Sequence, residues 1–162
     1  MSLLATGVTV ITTMTPEGPA GMTASAVCSL SLDPPQLLAC IQQTLPTHKA
    51  LETSSTFAVN VLGEDHIEIA RRFATRGTDR FAGLTLLPDY PAPVLGDAIA
   101  HFVCAVEESH PGGDHSIFVG RVLACGYTQG ERPLLYFDRR FGSLETPDAG
   151  LFRSWSESGT LV

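Results

Sequence analysis

The stretch Gly21 to Pro35, GMTASAVCSLSLDPP, constrains the fold more than any other part of the chain. Its residues alternate without a break. Met22, Ala24, Ala26, Cys28, Leu30 and Leu32 share one parity, and Thr23, Ser25, Val27, Ser29 and Ser31 share the other. Successive side chains of an extended strand point to opposite sides, so the pattern predicts one strand with a core face and a face of small hydroxyls. A solvent face ordinarily carries long charged side chains, yet no charge occurs here before Asp33. Small side chains leave the backbone approachable, and hydroxyls both donate and accept hydrogen bonds. Two readings fit: a ligand surface, or a strand covered by another element of the chain.

The flanking segments extend this strand into a meander. Gly7 to Met14 (GVTVITTM) is rich in β-branched residues and reads as a strand. Thr15-Pro16-Glu17-Gly18-Pro19 is dense in turn residues and makes the two strands antiparallel neighbours. Asp33-Pro34-Pro35 ends the alternating strand, and Gln36 to Gln42 is a third, largely buried one. Further strands are expected over Thr56–Leu62, Ala98–Glu107, Ser116–Tyr127 and Pro133–Phe137, with a turn at His110–His115. Two short helices interrupt them: His48–Ser54 with Thr47 as N-cap, and Asp65–Phe73 with Asp65 and Glu68 as a capping box. Leu84 to Gly96 reads as irregular, and the tail from residue 144 is polar and weakly patterned. The fold class expected is mainly β, a closed or split β-barrel with inserted helices, as one domain over residues 1–162.

Composition bounds the partners. Only 17% of the residues are charged, which predicts that part of the surface is covered, most simply by a second copy in a homodimer. A net charge of −7 lacks the basic footprint of a nucleic-acid binder. Cys28, Cys40, Cys104 and Cys125 are widely spaced in apolar runs and read as reduced core residues, neither disulfides nor metal ligands. The start MSLLATGVTV lacks the pattern of a secretory signal, and no apolar run reaches membrane-span length. The expected location is the cytoplasm, without membrane contact.

Few residue groups carry a chemical signature. No G-x-S-x-G elbow accompanies the many serines, and no Walker A loop or G-x-G-x-x-G after a strand occurs. Asp114 and His115 are the nearest approach to metal-ligand spacing, but adjacent residues of an extended segment point apart, so no metal is expected. The start of the first helix, with Lys49 and the upstream Gln42, Gln43 and Thr44, offers donors for an anion. Arg71, Arg72, Arg76 and Arg80 crowd ten positions. The first two suit the last turn of a helix, whereas Arg76 and Arg80 lie beyond it and are better placed to meet a phosphate. His115 follows a Gly-Gly turn and opens a strand, a rim position.

The segments TGVTVITT, GMTASAVCSLSLDPP, FAVNVL, ARRFATRGTDRFAG, GGDHSIFVGRV and PLLYF, in this order, resemble the flavin reductase-like family. Its members are small NAD(P)H:flavin oxidoreductases that supply reduced flavin to two-component monooxygenases. The likeness runs from about Thr6 to Phe141 and implies a homodimeric flavin-binding split barrel. It implies that Thr23, Ala24, Ser25, Ala26, Val27, Ser29 and Leu30 lie along the flavin of FMN or FAD. It implies that Gln43, Thr44, Thr47, Ala50 and Leu51 hold the phosphate end, approached also by Arg76. Gly113, Asp114, His115 and Tyr136 would border the nicotinamide of NADH or NADPH, with His115 in a positioning role at the catalytic centre. Two departures stand out: members usually have a helix before the first strand, and often an aromatic where Val27 stands. A flavin-binding barrel without reductase activity, and a pyridoxamine-phosphate-oxidase-like enzyme, are the alternatives; the intact GGDH segment favours the reductase.

Overall fold

The computed structural model describes residues 2–144, so the polar tail lies, apart from Leu144, outside the described residues. In chain order the elements are β1 (Thr6–Gly7), β2 (Thr9–Thr15), β3 (Gly18–Ala24), β4 (Val27–Leu32), β5 (Pro35–Gln42), α1 (Pro46–Thr53), β6 (Thr56–Val61) and α2 (Ile67–Ala74). They continue as β7 (Leu86–Leu87), β8 (Val94–Leu95), β9 (Ala100–Gly112), β10 (His115–Tyr127), β11 (Leu135–Phe137) and β12 (Arg140–Gly142). Seven strands form one sheet in the order β3, β2, β6, β9, β10, β5, β4, every neighbouring pair antiparallel. A small sheet of β1, β11 and β12 stands beside it.

Chain reach closes the large sheet. β3 and β4 occupy its two edges, yet only Ser25 and Ala26 separate them. Three Cα–Cα steps span about 11 Å at most. The edges must therefore meet, and the sheet curls into the expected barrel. The Cys40 N–H donates to the Ala26 carbonyl at 2.9 Å, which fastens the crossover to β5.

This crossover corrects the reading of Gly21–Pro35 as one strand. The alternation is real, but its two halves serve opposite edges. Ala24 is buried, whereas Cys28, Leu30 and Leu32, expected on the same core face, are exposed. Cys125 is exposed as well, so two of the four cysteines lie outside the core; all four are free thiols. Cys104 is the opposite case, and burial pushes its thiol up to about 12.

Both helices begin elsewhere than expected. Leu45 is the N-cap of α1 and Pro46 its first residue, where the missing proline N–H costs nothing; Thr47 is buried one position further in. For α2 the N-cap is His66, not Asp65, because a Gly63–His66 turn occupies the preceding residues. The Gly63 N–H donates to His66 Nδ1 and the His66 N–H to the Gly63 carbonyl. Leu84–Gly96, expected to be irregular, contains the β7–β8 pair. It is pinned by Asn60, fully buried, whose Oδ1 accepts the Leu95 N–H at 2.8 Å while Nδ2 donates to the Val10 carbonyl at 3.1 Å. The expected turn at His110–His115 tightens to Gly113 and Asp114, with φ of 70° at Gly113. Positive φ at the first of two turn residues is the hairpin position that favours glycine.

The barrel core gathers Ile11, Ile41, Leu51, Phe57, Val59 and Phe118. A second cluster, with Val10, Leu62, Ala70 and Phe73, lies under α2. Burying such side chains contributes about 1.5–3 kcal/mol each, and it fixes α1 and α2 as the walls of the site described next.

Candidate flavin site

Two clamps build the site. The first joins the β5–α1 loop to the β9–β10 hairpin. The Gln43 N–H donates to the Asp114 carbonyl at 3.0 Å, and Gln43 Nε2 donates to the His115 carbonyl at 3.1 Å. The second clamp is Arg80. Its Nε and Nη2 donate to the Thr75 carbonyl at 3.1 and 2.9 Å, and its Nη1 to the Gly21 carbonyl. Arg72 Nη1 donates to the Ala82 carbonyl at 2.8 Å, and the Phe81 ring meets Phe73 edge-on at 5.0 Å. Arg80 is therefore a brace for the loop after α2, a correction to its reading as a phosphate ligand. Arg76, four residues earlier, is exposed and forms no ion pair among the described residues.

Between these clamps opens a cleft of about 480 Å³, lined by Gly21, Thr44, Pro46, Thr47, Arg76 and Arg80 among others. Three sequence-predicted residues, Thr44, Thr47 and Arg76, thus converge from two distant segments. The first turn of α1 faces the cleft, carries no acidic residue and has no side-chain cap, so its N–H groups add to the positive potential of Arg76. This donor set fits an anionic phosphate. Gly21 and the Pro19–Ala20 edge of β3 also line the cleft; nothing in their residue types pointed to it.

The hairpin presents a polar pair. Asp114 Oδ1 accepts a hydrogen bond from His115 Nδ1 at 2.7 Å. The hydrogen bond and positive charge of His115 hold the Asp114 carboxyl below the usual carboxylate range. The aspartate thus stays ionised at neutral pH, and it holds Nδ1 of a half-buried His115 ring.

The remaining predicted residues divide. Ser25, Ala26, Ser29 and Leu30 are exposed around the crossover, and Val27 is half-buried. Val27 and Ser29 line a separate, mainly apolar cleft of about 410 Å³ with Cys28, Leu32, Phe102 and Cys125. The Thr23 hydroxyl is committed to the Ala70 carbonyl of α2 at 2.6 Å, and Ala24 is buried. Ala50 is half-buried, while Leu51 packs in the barrel core. Tyr136 lies away from the hairpin. It pairs with Thr6, just before Thr9, whose sheet level runs through Val61 and Ala100 to Tyr127. His115 and Tyr127 are the two ends of the thirteen-residue β10, so Tyr136 and His115 stand at opposite ends of the sheet within one chain.

A buried Ser116–His48 contact resembles part of a hydrolase triad. His48 Nε2 and Ser116 Oγ are 2.8 Å apart, and Glu52 Oε2 is 3.6 Å from His48 Nδ1, too far for a hydrogen bond. His48 and Ser116 are 4% and 8% exposed, and the imidazole packs edge-on against Phe118 at 5.4 Å. The contact fastens α1 to β10 and offers no access to a substrate.

Comparison with known proteins agrees with this geometry. The flavin reductase like domain model matches residues 1–145. The reductase subunit HsaB of a flavin-dependent monooxygenase from Rhodococcus jostii is 37% identical over 94% of this chain and 78% of its own. The FMN reductase (NADH) RutF of Agrobacterium fabrum is 35% identical over 87% of this chain and 83% of its own. Among solved structures, the Streptomyces globisporus NADH:FAD oxidoreductase SgcE6, in complex with NAD and FAD fragments, superposes with a TM-score of 0.85 at 35% identity, covering 91% of this chain and 90% of that one. Barrel, cleft and sequence likeness lead to one conclusion: the chain belongs to the flavin reductase-like domain family.

Proposed function

We propose that the cleft between α1 and the Arg76 loop holds the phosphate end of FMN or FAD, with the flavin ring running along Ser25–Val27. The chain is an NAD(P)H:flavin oxidoreductase, and the convergence of Thr44, Thr47 and Arg76 in one cleft carries its site assignment. When bound, the flavin supplies the hydride acceptor and the reduced nicotinamide the donor. The protein binds and orients. Arg76 and the α1 N-terminus attract the phosphate, and Gln43 ties the β5–α1 loop to Asp114 and His115. The Asp114 carboxylate fixes the His115 ring, whose Nε2 then meets the nicotinamide as a positioning contact. The test is direct: NADH mixed with FMN should lose its nicotinamide absorbance when the protein is added. No loss with either flavin and either nicotinamide would overturn the assignment.

Replacing His115 with alanine should lower kcat/KM for the nicotinamide by about 1–3 kcal/mol in transition-state terms, the scale of one or two lost contacts. Flavin affinity should move much less. Collapse of flavin binding with normal nicotinamide kinetics at saturating flavin would move His115 into the flavin pocket.

Reduced flavin is, on this reading, handed to a partner monooxygenase, as the names of the relatives suggest. We place the chain in the cytoplasm, where free thiols and reduced nicotinamides are maintained; no helix among the described residues is long and apolar enough to cross a membrane. A homodimer is the proposed assembly. Leu32, 64% exposed, lines the apolar cleft with the exposed Cys28 and Cys125, and Leu123 and Tyr127 on β10 are 47% and 81% exposed. Sedimentation should find twice the 17.2 kDa chain mass, and a monomer at micromolar concentration would contradict it.

A further inference from the structure

A further cleft, of about 700 Å³, runs between α2 and the β11–β12 hairpin. Arg71 and Thr75 line it from the helix, and Tyr136, Arg139, Arg140 and Phe141 line it from the hairpin. Three of the chain's ten cationic residues thus face one space in a protein of net charge −7. Arg71 is paired with Glu68 at 2.7 Å, while Arg139 and Arg140 form no ion pair among the described residues. The Tyr136 and Phe141 rings, 5.4 Å apart and tilted by 60°, supply an aromatic wall beside these guanidinium groups.

The hairpin turn adds an independent observation. Asp138 and Arg139 have φ of 46° and 62°, the pair of left-handed residues of a type I′ turn. That turn favours asparagine and glycine, and a long β-substituted side chain there works against the backbone. The chain nevertheless keeps a cation at the tip, where it lines the cleft.

Position completes the argument. Thr75 lines this cleft and Arg76, the next residue, lines the flavin cleft, so consecutive residues at the end of α2 flank the two. Guanidinium groups bind phosphate bidentately, and both guanidinium and aromatic faces stack on a purine. We propose that this cleft takes the adenosine–phosphate end of FAD, whose flavin phosphate lies at Arg76; NADH with its nicotinamide at His115, at the far end of β10, cannot reach it. The proposal rests on the flavin reductase reading and assigns Tyr136 to the adenosine end, away from the nicotinamide.

The probe is ADP, titrated calorimetrically into the full-length protein and into the Arg139→Gly/Arg140→Gln variant. Glycine suits the turn, so the variant should fold at least as well as the parent, checked by its melting temperature. The parent should bind ADP, and the variant should bind it about tenfold more weakly or worse, with FMN affinity unchanged. The preference for FAD over FMN should fall by the same factor while KM for NADH holds; a rise in KM for NADH with the flavin preference unchanged overturns the proposal. Equal ADP affinity in parent and variant, or no ADP binding by the parent at millimolar concentration, overturns the proposal. Failure of the parent to oxidise NADH with FMN would strike the reductase reading instead, and the ADP titration still decides the cleft.

Discussion

Arg76→Glu should raise the dissociation constant for FMN about a hundredfold. A charge-assisted hydrogen bond contributes about 1.5–3 kcal/mol, and reversal adds repulsion between the new carboxylate and the phosphate. Fold damage is not expected, because Arg76 is exposed and the loop that carries it is braced by Arg80 and Arg72 instead. Arg76→Lys should retain part of the affinity, since the charge survives while the bidentate geometry does not. Fluorescence titration of FMN into each variant measures both, and raising the salt should narrow the gap by screening. Riboflavin, which lacks the phosphate, supplies the control: its affinity should be nearly the same in Arg76→Glu and the parent. An unchanged FMN constant in Arg76→Glu removes the phosphate from this cleft.

Gly120→Ala should cost about 3 kcal/mol of stability, at the upper end of what overpacking a core does. Gly120 is buried on β10 beside a register shift in the β9 pairing. A Cβ there would lie 2.5 Å from Phe57 Cζ, 2.7 Å from Phe57 Cε1 and 2.9 Å from Cys104 Cβ. The Phe57 ring is itself 1% exposed and packed in the barrel core, so it has no open direction in which to move. The melting temperature should fall by roughly 6–12 °C for a domain of this size. Phe57→Leu in the same chain makes room, and the double variant should be less destabilised than the sum of the two single changes. Strict additivity would show that glycine is not required here by the ring.

The comparison between sequence and structure turns on reach. Local alternation was enough to mark β2, β5, β6 and β10 within two residues, because β-branched and apolar residues at period two have one economical use, whereas β9 runs five residues past its expected end at Glu107. It could not show that Ala24 and Val27 belong to opposite edges. Parity runs through Ser25 and Ala26 unbroken in the sequence, while in space the chain leaves one edge and joins the other. Helix caps failed for a related reason. Thr47 and Asp65 have the right side chains, but burial took the first and a preceding His66 turn displaced the second.

The candidate site divides the same way. The sequence by itself determined the residue types, the barrel class and the family likeness that singled out Thr44, Thr47, Arg76 and the Asp114–His115 pair. Only the tertiary structure decided which of them meet. It brought Thr44 and Thr47 to Arg76, and Gln43 to the hairpin, across intervals that no local pattern spans. It turned Arg80 from a phosphate candidate into a brace, because two carbonyls, on Gly21 and Thr75, come within its reach. It also carried Tyr136 to the far end of the sheet from His115, beside Arg139 and Arg140. Residue chemistry is local and legible in order of sequence; proximity is set by closure of the barrel, which depends on all seven strands at once.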